Sequence, residues 1–522
     1  MTKEVVFARR ASGLVRELTI QDVIIWGVAA PAASGINFYS VRMALTYPGS
    51  NAALSFLISS LILLPLAVTL ALMSAAMPRA GGMYVHVSRV INPTIGFWAS
   101  WVAVIGYGIA IGLLGHIVTG LFGGALVMAG LGGAGPALVD AGKALGTNVW
   151  RSVGGVVFTL FFWVTTLYSI KAVKWITRVI FYLPMAATVV AAATFLAVGP
   201  GGAPSAFNQI WGAGAYQKIL DAAGTKGWGF PGFSMDATIA SLVVPFWAWT
   251  AFEAITFASG EVKSPKRSML TGFTGGFLAC ALMYVGVSWA VYYPYGNFIG
   301  AYVFLANKAP DVLSTIMPVI TPSVPFFTAS LMGNIWLGVI VSLLMCLWFA
   351  NSILPVFVAT TRMLFGLAFD RALPEKFCEV NKRGSPTLAA HVTMIWGLIG
   401  VAITAIPGVD IILGILDFTM LNYFWLLGFA ALLLPYLKPE IFKRSPIQWT
   451  VGGIPVISIL GLYTIAAGFW IVCFSILEFT YTVAAIMSFF IAIGFIIYAW
   501  KQAKNVKAGI DISKIYAEIP PE

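Results

Sequence analysis

The sequence predicts an all-α polytopic membrane protein with 12 transmembrane helices. Three observations carry this: an apolar composition, twelve long apolar runs and a lopsided distribution of positive charge. Of 522 residues 60% are apolar and 9% charged, with mean hydropathy +0.91, where soluble domains carry about 25% charged residues. That excludes a soluble globular protein. Disorder fails because it needs polarity, and a disulfide scaffold fails because four Cys in this length are sparse. A hydrocarbon core about 30 Å thick takes roughly 20 apolar residues per helical crossing.

Residues 1–18 form a basic N-terminal segment. The apolar run after it exceeds the 7 to 15 residues, roughly, of a signal-peptide core, so it reads as a retained first span. The runs fall at 20–45, 51–77, 93–128, 152–169, 177–198, 237–260, 269–293, 331–366, 388–406, 410–435, 456–476 and 479–500. An even count puts both termini on one side. On that side lie 24 of the 30 Lys and Arg, against Arg42, Lys143, Arg151, Lys218, Lys226 and Lys308 on the other, which predicts cytoplasmic termini in a plasma-membrane protein. The net charge of +11 therefore reports topology and not a nucleic-acid partner, since no basic domain carries it. The long segments 199–236 and 294–330 fall on the far side, the second with a short surface helix expected near 299–316. The tail 501–522 is polar.

Two spans contain interruptions at matching places. Span 1 has Pro31 followed by Ala32-Ala33-Ser34-Gly35-Ile36-Asn37, and span 6 has Pro245 followed by Phe246-Trp247-Ala248-Trp249-Thr250-Ala251. Proline and glycine both weaken helical hydrogen bonding. Interruptions in the first and sixth spans imply a repeat of five, and because five is odd the second copy enters the membrane inverted. A broken helix frees backbone N–H and C=O groups at mid-membrane, where they make a polar site without charged side chains. An ordinary proline kink is the plainer reading of either break alone.

These stretches resemble the amino acid, polyamine and organocation (APC) superfamily of secondary transporters, the amino acid permeases. Ser34-Gly35-Ile36 is similar to the family's Gly-Ser-Gly-Ile break, with Ala33 in place of the first glycine. Met77-Pro78-Arg79-Ala80-Gly81-Gly82-Met83-Tyr84-Val85, followed by Ser88-Arg89 and Pro93, resembles the loop after span 2. Phe252-Glu253 with Ser259-Gly260-Glu261-Val262-Lys263-Ser264-Pro265-Lys266-Arg267 resembles the end of span 6. A weaker match runs from Arg362 through Asp370-Arg371-Ala372-Leu373-Pro374 to Asn381 and Ser385-Pro386.

The resemblance implies a 5+5 inverted repeat with broken helices 1 and 6, plus two peripheral helices. The chain then divides into a first five-helix repeat at 19–198, an extracellular loop at 199–236, a second repeat at 237–435 and peripheral helices 11 and 12 at 436–500. It also implies alternating access, with the substrate carboxylate at the N–H groups of Ser34, Gly35 and Ile36. The amine meets the carbonyls of Trp247, Ala248 and Trp249, which Thr250 adjoins. Dipoles of half-helices agree with this polarity. Of the two tryptophans, Trp247 is the one expected to line the site. Two departures stand out: Thr250 and Ala251 replace the glycine often found at the second break, and Pro184 stands where a proton-coupled branch has a lysine.

Few ionisable residues fall within spans. Glu253, just past the second break, is the candidate for proton coupling. Asp417 in span 10 is a second ionisable candidate. Ser34 with Asn351 and Ser352 of span 8 offers oxygens for Na⁺. His116 and His391 lack Cys or carboxylate at ligand spacing, so no metal site is expected. Arg42 and Arg362 lie near span ends and are expected to snorkel to the interface.

Other signals are set aside. Gly130-Leu131-Gly132-Gly133-Ala134-Gly135 fits GxGxxG but follows a span and not a β-strand. Gly108/Gly112 and Gly272/Gly276 fit GxxxG, with internal packing as the default reading and no oligomeric state implied. Cys280, Cys346, Cys378 and Cys473 are scattered. Thr19 and Asp22 read as a capping pair at the start of helix 1. A membrane enzyme would need a convergent catalytic constellation, and a channel repeated polar rings; both are absent. The expectation is secondary active transport of an amino acid or related amine, with H⁺ coupling, Na⁺ coupling or exchange open, and a polyamine or organic cation as the alternative substrate. No cofactor is expected.

Overall fold

The computed structural model describes residues 12–406, 424–476, 480–510 and 515–516. Among them, ten helices are long and apolar enough to cross a membrane, and the only strands are a two-residue pair at Thr450–Val451 and Ile454–Pro455. The chain is an all-α polytopic membrane protein. The crossing helices are span 1 (Ile20–Thr46), span 2 (Ala52–Ala76), span 3 (Pro93–Ala134), span 4 (Asn148–Tyr168), span 5 (Ile170–Val198), span 7 (Pro265–Tyr295), span 8 (Ile335–Phe369), span 9 (Thr387–Thr404), span 11 (Val456–Cys473) and span 12 (Tyr481–Lys507).

Two expected spans differ. Span 6 is not one helix but a chain of short pieces, Met235–Ala240, Val243–Ala248 and Ala254–Phe257. Most of span 10 falls outside the described residues, which resume at Phe424–Leu437. Asp417 is outside them as well. Spans 4 and 5 start earlier than the apolar runs suggest, because Asn148 and Ile170 open helices whose first turns are polar. Ser169 caps span 5 by accepting from Ala172 N–H at 3.1 Å. Span 12 continues through Lys507, so the tail begins later than residue 501. Segment 294–330 carries a helix at Phe298–Lys308, shorter than the surface helix expected near 299–316 and largely buried, because Ile299, Tyr302 and Leu305 pack inward.

Spans 1, 3 and 8 form the core. The apolar window of span 3 is 89% buried and that of span 12 only 17%, which separates the inner helices from those facing lipid. Span 3 packs along spans 8 and 9, and span 2 along span 7. Glycines set the closest approaches. A Cβ at Gly108 would sit 2.5 Å from Trp396 Cβ, and one at Gly276 would sit 2.8 Å from the Ile24 carbonyl. Both GxxxG pairs thus serve packing within the chain, Gly108/Gly112 against span 9 and Gly272/Gly276 against span 1.

Candidate functional site between spans 1 and 6

Span 1 runs as an α-helix over Ile20–Ser34, then widens into a π-helical turn over Gly35–Tyr39 before resuming at Ser40–Thr46. It is interrupted without being unwound: the turn that Gly35 opens widens its hydrogen-bond rings by one residue. Pro31 lies one turn earlier and withholds an N–H from the helix. Asn37, in the π turn, donates its amide to the Met345 carbonyl at 2.8 Å, tying the turn to span 8.

Span 6 leaves the α-helix at Trp249. Phe252 N–H, which a continuous helix would direct to the Ala248 carbonyl, instead reaches Trp249 at 3.2 Å, and Thr250 N–H reaches Trp247 at 3.0 Å. Ala251 stands at φ +72°, a left-handed conformation rare for a residue with a Cβ. The break therefore forms without the glycine that the sequence lacks. It leaves the Ala248 carbonyl free of its helical partner.

The two breaks meet through Tyr284 of span 7. Its hydroxyl lies 2.7 Å from the Pro31 carbonyl and 2.6 Å from the Ala248 carbonyl. A phenol has one proton, so it can serve only one of these acceptors fully at a time. The ring rests on Gly35, where a Cβ would collide with it and lie 2.9 Å from Ala248 Cβ. The structure thus brings Gly35 and Ala248 together, with the tyrosine filling the gap.

The neighbouring tryptophans diverge. Trp247 meets Tyr39 of the π turn edge-on, with ring centroids 5.1 Å apart, whereas Trp249 stacks on Phe277 at 4.3 Å inside span 7. Neither indole N–H has a partner. Ile36 is buried within the π turn, Thr250 is half-buried, and the side chain of Ser34 is outside the described residues. Glu253 is buried and accepts a hydrogen bond on Oε1 from the Tyr107 hydroxyl of span 3, with no partner on Oε2. Ser352 donates to the Ala29 carbonyl at 2.7 Å, linking span 8 to span 1. Asn351 is fully buried with its amide unpartnered.

The loop after span 2 packs on the end of span 6. Gly81 at φ +98° and Gly82 at φ +47° turn the chain onto span 6, where Gly81 N–H donates to the Phe257 carbonyl at 3.0 Å and the Ser259 hydroxyl to the Arg79 carbonyl at 3.0 Å. Two of the stretches that carry the family resemblance are thereby packed on each other. Arg362 is fully buried and grips Glu261 with two bonds of 2.5 and 2.9 Å, so it does not snorkel. Its partner lies 101 residues away, out of reach of sequence spacing. Arg89 pairs with Asp370 in the same two-pronged way. Arg178 holds Asp22 at 2.7 Å, and Asp22 also accepts from the Thr19 N–H and hydroxyl at 2.7 and 2.8 Å, the expected capping pair. Glu17 and Leu18 N–H groups both reach the Glu261 carbonyl at 3.0 Å. Arg42 lies exposed, its guanidinium 5.4 Å from the Phe38 ring centre. His391 Nδ1 lies 2.6 Å from the Thr387 carbonyl of its own helix, and no group of three potential metal ligands occurs among the described residues.

A family model described as amino acid permease matches residues 18–496. This chain belongs to the amino acid permease family, within the APC superfamily. It is a transporter of that family and not an enzyme. The permease is 24% identical over 458 residues to the methylthioribose transporter of Bacillus subtilis (strain 168), covering 86% of this chain and 87% of the relative. It is 22% identical over 449 residues to the branched-chain amino acid permease BcaP of the same organism, with 85% of each covered. To its serine/threonine exchanger SteT it is 24% identical over 285 residues, 54% of this chain and 55% of the relative.

Sequence reasoning missed Tyr284 and Tyr107, and it named Glu261 only within the stretch at the end of span 6, without its Arg362 partner. The first had a signal: a tyrosine alone in the middle of an apolar run, whose hydroxyl must find a partner inside the membrane.

Proposed function

We propose that this permease is a secondary active transporter of an amino acid or related amine in the plasma membrane, with both termini cytoplasmic. The observation that supports it most is the Tyr284 hydroxyl set between the Pro31 and Ala248 carbonyls, because an ammonium group has three donors where the phenol has one. Substrate displaces Tyr284, placing its ammonium at the carbonyls of Trp247, Ala248 and Trp249 and its carboxylate at the N–H groups of Ser34, Gly35 and Ile36. Because span 1 is continuous here, these N–H groups become the positive end of a half-helix only when the π turn opens on substrate binding. Trp247, against the π turn, contacts the substrate side chain.

Coupling runs through Glu253. The carboxyl joins span 6 to span 3 through Tyr107, so a change at the break alters its surroundings and its proton. The chain works as an H⁺-coupled carrier or an exchanger. Na⁺ coupling through Ser34, Asn351 and Ser352 stays open as an alternative: the Ser352 hydroxyl donates to the Ala29 carbonyl, which leaves its oxygen lone pairs, and the Asn351 side-chain oxygen is buried without a hydrogen-bond partner. Release to the terminal side requires the Arg362–Glu261 and Arg178–Asp22 pairs to separate, since they tie spans 5 and 8 to spans 1 and 6. Uptake of labelled amino acids, polyamines and methylthioribose into proteoliposomes, with pH and Na⁺ gradients imposed separately, tests the reading. Saturable uptake of an amino acid driven by a pH gradient or by internal substrate is expected. Uptake of polyamines alone would move the substrate class.

A further inference from the structure

The Tyr284 hydroxyl offsets a cost that the break in span 6 creates. The Ala248 carbonyl has lost its helical donor, because Phe252 N–H turns to Trp249 instead. A carbonyl left bare at mid-membrane is costly, since lipid offers no donor in place of the missing one. Tyr284 sits on span 7, outside both interrupted helices. It supplies that donor at 2.6 Å and reaches the Pro31 carbonyl at 2.7 Å.

The ring is held as firmly as the hydroxyl. Tyr284 is fully buried, lies 4.7 Å from the Phe56 ring of span 2 and meets Trp249 edge-on at 4.9 Å, centroid to centroid. A Cβ on Gly35 would fall 2.3 Å from the ring and 2.9 Å from Ala248 Cβ. No amino acid fits between Gly35 and Ala248 while the ring stands there. Steric exclusion therefore makes this the substrate-free arrangement, and in it the phenol occupies the place proposed for the substrate ammonium.

A carrier can complete its cycle in two ways. An obligatory exchanger returns only when loaded, whereas a net transporter must also bring its empty site back, through a closed form that holds no substrate. That empty form is unfavourable when the departing substrate leaves a bare carbonyl and a gap behind it. A tethered phenol that enters as substrate leaves removes both penalties, because its hydroxyl serves the carbonyl and its ring fills the gap. We propose that Tyr284 is a built-in stand-in for the substrate ammonium, and that it lets the empty permease return, which makes the protein a net transporter and not an obligatory exchanger. This rests on the carrier reading of the site and adds to it the mode of the cycle. Tyr284 acts through spans 1 and 6, as a positioning residue.

The test compares two uptake rates of one protein. Proteoliposomes of the full chain are prepared either with an empty lumen or preloaded with the twenty unlabelled amino acids, and both receive the same labelled mixture of the twenty under the same pH and Na⁺ gradients. Uptake into empty vesicles requires the unloaded return, and uptake into preloaded vesicles does not. The wild type should fill both kinds at rates of the same order. In Tyr284→Phe, which keeps the ring and removes the donor, the ratio of net uptake to exchange should fall about tenfold, the scale of one hydrogen bond lost at a buried acceptor. Fewer folded copies would lower both rates alike and leave the ratio where it was. Wild-type uptake into preloaded vesicles alone, or an unchanged ratio in the variant, would overturn the proposal. No uptake into either kind of vesicle would overturn the carrier reading, and this inference with it.

Discussion

Glu253 carries the strongest residue-level expectation. One carboxyl oxygen holds the Tyr107 hydroxyl and the other is buried without a partner, an arrangement that a change of protonation must disturb. Glu253→Gln keeps the shape and removes the titration, so uptake should lose its pH dependence while substrate binding persists; pH-dependent uptake in that variant would remove Glu253 from coupling. His86, between spans 2 and 3, makes a second pH prediction. Burial pushes its pKa down from 6.5 to about 4, against an opposing contribution from the Met77 backbone. The folded protein then binds fewer protons than the unfolded chain between these values. The contribution is fully present above pH 6.5 and is lost as pH falls towards 4, at up to about 1.4 kcal/mol per pH unit. Thermal stability should decline through this window, and His86→Gln should make the decline shallower.

At the scale of elements, the break in span 6 rests on Ala251 at φ +72°. A left-handed alanine costs roughly 1–2 kcal/mol that glycine does not incur. Ala251→Gly should therefore raise stability by up to about 1 kcal/mol, seen as a higher melting temperature; a lower one would mean that the strain is offset by contacts of the methyl group. The two interruptions were legible because proline and small residues inside apolar runs mark places where helical bonding is weak. Their forms were not legible. Span 1 answers with a π turn and span 6 with shortened turns, and the partners at these places, Tyr284, Met345 and Ser352, lie far off in sequence. Ten long spans could be read from hydropathy, whereas span 6 is divided because five of its residues, 249–253, form turns.

For the whole molecule, the Arg362–Glu261, Arg89–Asp370 and Arg178–Asp22 ion pairs join segments from distant parts of the chain. Arg362 and Glu261 are both buried, so removing one charge strands the other. Arg362→Gln should cost about 3–5 kcal/mol, and Arg362→Met/Glu261→Gln should recover much of that loss; equal melting temperatures for the wild type and the single variant would contradict the pairing. These pairs were invisible to sequence spacing, because each joins segments more than 100 residues apart. The charge tally gave the side on which they sit but not that they are buried.

On the proposed function, substrate binds where Gly35, Ala248 and Tyr284 meet. The direct measurement is thermal stabilisation of the purified permease across the twenty amino acids, made in parallel on Gly35→Ala. A ligand that binds only the folded state adds about 2.7 kcal/mol at 100 times its Kd. Saturable stabilisation by at least one amino acid is expected in the wild type, with its loss in the variant, whose new methyl group occupies the space of the Tyr284 ring. Stabilisation by none of the twenty, or an equal shift in both proteins, would contradict it.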